Sequence, residues 1–170
     1  TIAADLAALL TGHANGPDTV TVVGSTLYLT HSIDFTLTTS DDQGDEAFLA
    51  YKDKVQRFTS LPKDAVEGVQ FEIVGDNTSS FDNYHVAYID DTWQETAAEN
   101  IPIEFDDTTM PVALIRHPGD TFTLEVLPWV DRAVGDDDSN PFPSFTGFAL
   151  TDMFYFRVRM GFLAEENGTI

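Results

Sequence analysis

Alternation of apolar and polar residues with a period of two recurs along this chain, and it predicts short β-strands. The alternating runs are rich in Val, Thr, Ile and aromatic residues, which strands favour. Gly24-Ser25 and Asp90-Asp91 interrupt two of the runs and predict hairpin turns. About nine strands are predicted in this way, over residues 19–23, 26–30, 35–39, 69–74, 84–89, 93–96, 101–105, 112–116 and 122–127.

Two other segments have the spacing of an amphipathic helix, residues 2–11 and residues 46–60. In the first, Gly12 supplies a stop signal after the apolar stripe. That stripe consists of Ile2, Leu6, Leu9 and Leu10. In the second, basic residues lie near the C-terminal end, where they favour the helix dipole, and Pro62 follows it. Between strands, Gly75-Asp76-Asn77 predicts a turn.

The periodicity near the C-terminus leaves two structures open. Residues 148–156 and 160–163 fit either two strands joined across residues 157–159 or one helix, because their apolar positions match neither period alone.

The predicted elements together indicate an α+β fold: a mostly antiparallel β-sheet with one or two short helices, in a single compact domain with a C-terminal extension. The Gly, Asp and Pro residues of 135–147 predict a linker, since proline forbids ladder hydrogen bonds. We therefore expect a platform-like domain over residues 1–134, a Pro/Asp-rich loop over 135–147, and the start of a following β element over 148–170.

The composition predicts a strongly acidic surface. The chain has 170 residues, with 29 Asp and Glu against 8 Lys and Arg, a net charge of −21. Such a surface repels nucleic acid phosphates and anionic membranes at long range. Two interpretations follow: a heavily solvated surface suited to a salty habitat, or a repulsive wall beside DNA.

Composition excludes several classes of site and segment. Cysteine is absent, which excludes disulfides and cysteine-ligated metals. No segment reaches the roughly 18–20 apolar residues of a membrane span, and we expect no membrane partner. The N-terminus lacks the pattern of a signal peptide and does not begin with Met, so we expect a trimmed, processed or excised fragment.

Candidate chemistry is sparse. The four histidines lack metal-site spacing, and serine-hydrolase, P-loop and dinucleotide motifs are absent. Abundant carboxylates leave a glycosidase-like pair open. Residues 41–46 and 136–140 offer oxygens to calcium but lack the EF-hand pattern, so we interpret them as solvated turns. We assign no catalytic, cofactor-binding or metal-binding residue and no cofactor.

The segment 129–167 holds the candidate structural or interface residues. If Arg157 and Arg159 lie on one strand, they share a face, and in so acidic a chain we expect them to pair with carboxylates of this or a neighbouring subunit. The complete candidate set is Trp129, Arg132, Asn140, Pro141, Phe145, Phe154, Phe156, Arg157, Arg159 and Phe162.

The order of these motifs resembles the tail tubular protein B, or nozzle protein, family of short-tailed (podovirus) bacteriophages. That family has W-x-x-R, G-D, T-N-P-x-P-S-F and F-F-F-R-N-R-L-G-F-L-S-x-E-N in this order. The corresponding residues are Trp129, Arg132, Gly135-Asp136, Asn140-Pro141, Pro143-Ser144-Phe145, Phe154-Tyr155-Phe156-Arg157, Arg159, Gly161-Phe162-Leu163 and Glu166-Asn167. The upstream matches include FTSLP at residues 58–62 and T-M-P at residues 109–111. Val158 departs from the family's usual Asn.

The resemblance implies a virion structural protein of the phage tail, without catalysis. Nozzle proteins form a homohexameric ring below the adaptor proteins, close the tail channel, conduct DNA during ejection without binding it specifically, and carry tail fibres at the ring junction. The family protein is several times longer, so we expect a fragment with weak self-association and with residues 154–163 exposed. The alternatives are a virion-associated glycan-cleaving enzyme that uses paired carboxylates and a host-surface binding module.

Overall fold

The computed structural model describes residues 1–44, 47–75, 79–80, 82–164 and 167–169. The chain forms two compact units, Thr1–Glu99 and Asn100–Ile170. The loop over residues 135–147 lies within the second unit, and the expected division of the chain at this loop stays a prediction.

Most of the regular structure is short antiparallel β-strand. The elements are α1 (Ile2–Leu10), β1 (Thr19–Val23), β2 (Thr26–Thr30), β3 (Lys54–Val55), a 3-10 turn (Phe58–Ser60), β4 (Gln70–Ile73), β5 (Tyr84–Ile89), β6 (Thr92–Thr96), β7 (Val112–His117), β8 (Thr121–Val126), β9 (Leu150–Phe156), β10 (Arg159–Ala164) and β11 (Asn167–Thr169). This confirms the mostly antiparallel β architecture with a short helix, while the number of domains stays a prediction. Within the described ranges, no helix has the length and apolar character needed to cross a membrane.

The first unit is built on a four-stranded sheet in the order β3-β4-β5-β6. Strand β3 runs parallel to β4, and the remaining neighbours are antiparallel. Alternate residues of β4 and β5 point into a core made by Val55, Phe71, Ile73 and Val86. Trp93 on β6 covers this core, and its indole Nε1 donates a hydrogen bond to the Pro62 carbonyl at 2.8 Å.

Helix α1 and the β1–β2 hairpin also belong to the first unit. The Thr1 hydroxyl caps α1 by accepting a hydrogen bond from the Ala4 amide. The predicted apolar stripe is only partly correct: Ala3 and Ala7 are the buried residues, whereas Ile2 and Leu9 are exposed. The buried face of the helix is therefore formed by small alanine side chains.

The helix predicted over residues 46–60 is wrong for the described residues 47–60; residue 46 lies outside them. The Asp41 carboxylate accepts hydrogen bonds from the Ala47 and Phe48 amides. Farther along, the Val74 amide donates to the Val55 carbonyl, and β3 pairs with β4. Hydrogen bonds to residues outside the segment therefore replace the i to i−4 backbone hydrogen bonds that a helix requires.

Two predicted strands, over residues 35–39 and 101–105, are also absent from the structure. Both segments are apolar enough for strands but have no neighbouring strand in the part of the chain that is described. Instead, the Ile103 carbonyl accepts a hydrogen bond from the Arg132 amide, an isolated link to a loop. The turn predicted at Gly75-Asp76-Asn77 depends on residues 76 and 77, which lie outside the described residues.

The second unit contains the β7–β8 hairpin and a sheet in the order β11-β10-β9. Strand β9 joins β10 through a two-residue turn, so the two-strand alternative is correct and the helix is excluded. The core of this unit is made by Met110, Phe145, Phe162 and Ala164.

Candidate structural and interface site

An aromatic cluster brings three of the predicted residues together in the second unit. The Trp129 ring lies 5.8 Å from Phe145 and 6.3 Å from Phe162, and the latter two rings are 5.3 Å apart, measured between centroids. Phe145 and Phe162 are buried, and Trp129 is partly buried against them. Phe105 extends the cluster at 5.9 Å from Trp129. These spacings are those of favourable tilted aromatic pairs.

Arg132 is the charged member of this region. Its side chain is 2% exposed, and its Nη1 donates to the Asp137 carboxylate at 2.7 Å. The guanidinium also stacks over the Phe142 ring, 4.3 Å from the centroid. The Arg132 backbone N–H also donates a hydrogen bond to the Ile103 carbonyl. Together these contacts make Arg132 a clamp between the aromatic cluster and the loop that follows.

The Asp-rich loop after Arg132 is organised by its own backbone. Asp136 Oδ1 accepts hydrogen bonds from the Asp138 amide at 3.0 Å and from the Ser139 amide at 2.7 Å. Asn140 Nδ2 donates to the Val134 carbonyl at 2.9 Å, and Pro141 is exposed. A carboxylate that accepts backbone amides in this way forms an Asx turn. Among the described residues, no group of three or more His, Asp or Glu side chains lies close enough to hold a metal ion.

The predicted residues on β9 and β10 separate into inner and outer positions. The Phe154 ring covers Gly161 so closely that a Cβ at residue 161 would clash with it. Phe162 is buried, whereas Phe156 is 57% exposed. Burial therefore changes along the hairpin: Phe162 lies in the core, whereas Phe156, next to the turn, is exposed.

Arg157 and Arg159 do not lie on one strand, so the condition under which they would share a face is not met. Arg157 lies in the β9–β10 turn with a φ of 57°, and Arg159 is the first residue of β10. Neither arginine forms an ion pair with a carboxylate of the described residues, and their expected pairing with carboxylates of this or a neighbouring subunit stays a prediction. The Arg157 guanidinium lies 5.4 Å from the Phe156 ring centroid instead.

The carboxylates do not have the pKa pattern of a glycosidase. Lys54, at 2.6 Å, and Asn83 hold the pKa of Glu72 below its usual value. Hydrogen bonds likewise lower the pKa of Asp18, Asp34 and Asp106, through Ser32, Lys52 and Thr108 respectively. A general acid requires a raised pKa, and the pKa of each of these four carboxyls is lowered instead.

A depression of about 380 Å³ on the second unit has Arg132 and Phe142 in its wall, with Phe105, Asn140 and Pro143. It is open to solvent, and its lining combines an ion-paired arginine with aromatic and proline rings. This arrangement holds the loop in place, and Asp131 contributes a carboxylate to the same wall.

Sequence reasoning missed three partners of the site: Phe105, Asp137 and Phe142. Phe142 fills the variable position of the N-P-x-P-S-F motif, so the motif did not single it out. Phe105 was assigned to a strand, and its contact with Trp129 joins positions distant in sequence that no local pattern reveals.

Comparison with known proteins matches residues 1–170 to the model of the family described as bacteriophage nozzle protein. The tail tubular protein gp12 of Escherichia phage T7 is 39% identical over 132 residues, which cover 76% of this chain. The chain spans 17% of the length of that relative. The family is one of structural tail proteins and not of enzymes, which removes the support for the glycan-cleaving alternative. The chain therefore belongs to the bacteriophage nozzle protein family, as its motifs predicted, and it is a structural component of the phage tail in the virion.

Proposed function

We propose that this chain forms part of the wall of a homohexameric nozzle ring that closes the tail channel before infection and conducts DNA during ejection. The observation that carries the proposal is the family match over residues 1–170. The clamp around Arg132 supports a structural role, because its ion pair and ring contact hold the loop that follows it.

The acidic surface supports the part of the proposal that concerns DNA. Of the eight Lys and Arg residues, four form ion pairs with carboxylates of the described residues, namely Lys52, Lys54, Arg116 and Arg132. These pairs leave few free cations for phosphates, while most of the 29 acidic residues stay unneutralised. A channel wall of this charge repels the DNA backbone and keeps it from adhering during passage.

The β7–β8 hairpin supports the proposal that the chain contacts other proteins of the tail, including the adaptor protein and the tail fibre. Opposed residues of an antiparallel pair share a face. One face of this hairpin carries Val112 opposite Val126, Leu114 opposite Leu124, and Arg116 opposite Phe122. The five apolar members of this face are all at least half exposed. Such a surface is typical of proteins that assemble.

Cryo-electron microscopy of the virion tail tests the proposed function. We expect six copies of the chain in a ring, with acidic side chains towards the lumen. A map in which the chain lies in the tail but wholly outside the lumen would contradict the channel-wall role. Absence of the chain from the tail would overturn the structural role as well.

A further inference from the structure

The turn between β9 and β10 presents an apolar surface to solvent. We call residues 155–160 the β9–β10 tip. Tyr155 is 71% exposed and Val158 is 87% exposed, and Phe156 and Met160 are also more than half exposed. Exposed aromatic and apolar side chains concentrated at one turn are characteristic of the centre of a protein interface.

The same tip carries two cations that have no carboxylate partner among the described residues. Arg157 and Arg159 are exposed, whereas four other basic residues of this chain are ion-paired. Arginine beside aromatic residues is enriched at interfaces, where its guanidinium meets a carboxylate of the partner. The tip therefore has the charge opposite to that of nearly all the remaining surface.

The residues behind the tip are packed against the fold. Arg157 has a φ of 57°, a left-handed conformation that non-glycine residues seldom adopt. Behind the turn, Phe154 covers Gly161 across the strands, and Phe162 is anchored in the core. A surface fixed in this way loses little conformational entropy on binding.

We propose that the β9–β10 tip docks onto an acidic surface of a second copy of this chain. The proposal rests on the proposed function, which places copies side by side in a ring. A ring needs a heterologous interface, in which one surface meets a different surface on the next subunit. Every copy offers 29 acidic residues and a net charge of −21, which complements the two arginines of its neighbour's tip.

DNA phosphates are the other polyanion near a tail channel, and the tip fits them less well. Phosphate contacts require cations and hydrogen-bond donors, so they leave the exposed Tyr155, Val158 and Met160 without a role. The net negative charge of the chain also repels DNA at long range.

Photo-cross-linking in assembled tails tests the proposal. Val158→p-benzoylphenylalanine is introduced into the phage protein that contains this chain, and purified virions are irradiated. Val130→p-benzoylphenylalanine is the matched control, since Val130 is also 87% exposed. We expect a covalent dimer of the protein from position 158, several-fold more abundant than from position 130. Peptide mapping should place the cross-link near Asp or Glu residues of this same chain.

Cross-linking of position 158 to DNA, to a different tail protein or to nothing would overturn the proposal while leaving the channel function standing. Absence of the protein from purified tails would instead remove the proposed function itself.

Charge reversal gives a second test. Arg157→Glu with Arg159→Glu is expected to lower the yield of assembled tails by about tenfold or more, because repulsion replaces attraction at the interface. Arg57→Glu with Lys63→Glu changes the net charge equally at exposed residues of the first unit and should leave the yield near normal. Equal yields for the two double variants, both folded by circular dichroism, would count against the tip as an interface.

Discussion

At the scale of the residue, Arg132 shows how a buried cation is accommodated in this fold. Its guanidinium is nearly inaccessible, yet its partner Asp137 is 68% exposed. The Phe142 ring supplies the remaining stabilisation by stacking. The two members of this ion pair therefore make unequal contributions, because Arg132 also packs in the interior and stacks on Phe142, whereas the Asp137 side chain is mostly exposed.

Substitution of Arg132 should consequently cost more than substitution of Asp137. We expect Arg132→Ala to lower the free energy of unfolding by about 2–4 kcal/mol, through loss of packing, stacking and the ion pair. Asp137→Ala should cost less, about 1–2 kcal/mol, because it removes one hydrogen bond from the buried guanidinium. Urea unfolding followed by tryptophan fluorescence measures both, and equal losses would show that the exposed carboxylate, not the buried guanidinium, dominates.

Glu72 predicts how pH acts on the first unit. Its folded-state pKa lies below the ordinary value of 4.5, since Lys54 and Asn83 hydrogen-bond its ionised form. A lowered folded-state pKa means that the stabilisation is complete above about pH 4.5 and is lost as pH falls through the lowered value. Lys54→Met should move the pKa of Glu72 back up, which carbon-13 NMR of the side-chain carboxyl can follow.

The control for this titration is Lys52→Met. Lys52 pairs with the exposed Asp34, away from Glu72, and so its loss should leave the pKa of Glu72 unchanged. A pKa of Glu72 that does not respond to Lys54→Met would mean that Asn83 alone accounts for the shift.

At the scale of the element, the β5–β6 hairpin has a turn whose sequence is not the one its geometry prefers. Asp90 and Asp91 have φ values of 50° and 60°, as the central residues of a type I′ turn require. Asn-Gly is the preferred pair in this turn, because Gly meets no Cβ penalty at positive φ.

Asp90→Asn with Asp91→Gly should therefore stabilise the first unit by about 0.5–1 kcal/mol. The matched change Asp91→Val should destabilise it by about 1–3 kcal/mol, since a β-branched residue is strained at positive φ. Urea unfolding midpoints compare the stabilities of the variants, provided that the slope of the unfolding free energy against urea concentration is the same for each. A change in stability of the same sign for both variants would contradict the argument from turn geometry.

For several strands, local sequence patterns were sufficient to predict the bounds. The strands β1, β2 and β5 match their predicted bounds, and β6 begins one residue earlier than predicted. In these hairpins, alternation and turn residues lie within the same short segment, so neighbouring residues determine the pairing. Strand β3 is different: its partner residues Glu72 and Ile73 lie outside the segment whose spacing suggested a helix.

At the scale of the whole molecule, charge opposes association of the isolated chain. A net charge of −21 repels a second copy over a Debye length of about 30 Å at 0.01 M salt. We expect sedimentation velocity to show monomers at low salt and stronger association as salt screens the repulsion. A tight hexamer at low salt would indicate that attraction at the interface exceeds the repulsion between copies.

The sequence by itself determined the mostly antiparallel strands, the local hairpins and the membership of the nozzle protein family. The strands and hairpins depend on alternation and turn residues, which act over a few residues. The family depends on the order of motifs, which the linear sequence contains. Only the tertiary structure decided that Arg132 is buried beneath Phe142, that Arg157 lies in a turn, and that residues 54–55 join a sheet. Burial and lateral hydrogen bonding are set by groups distant in sequence, and so local periodicity cannot specify them.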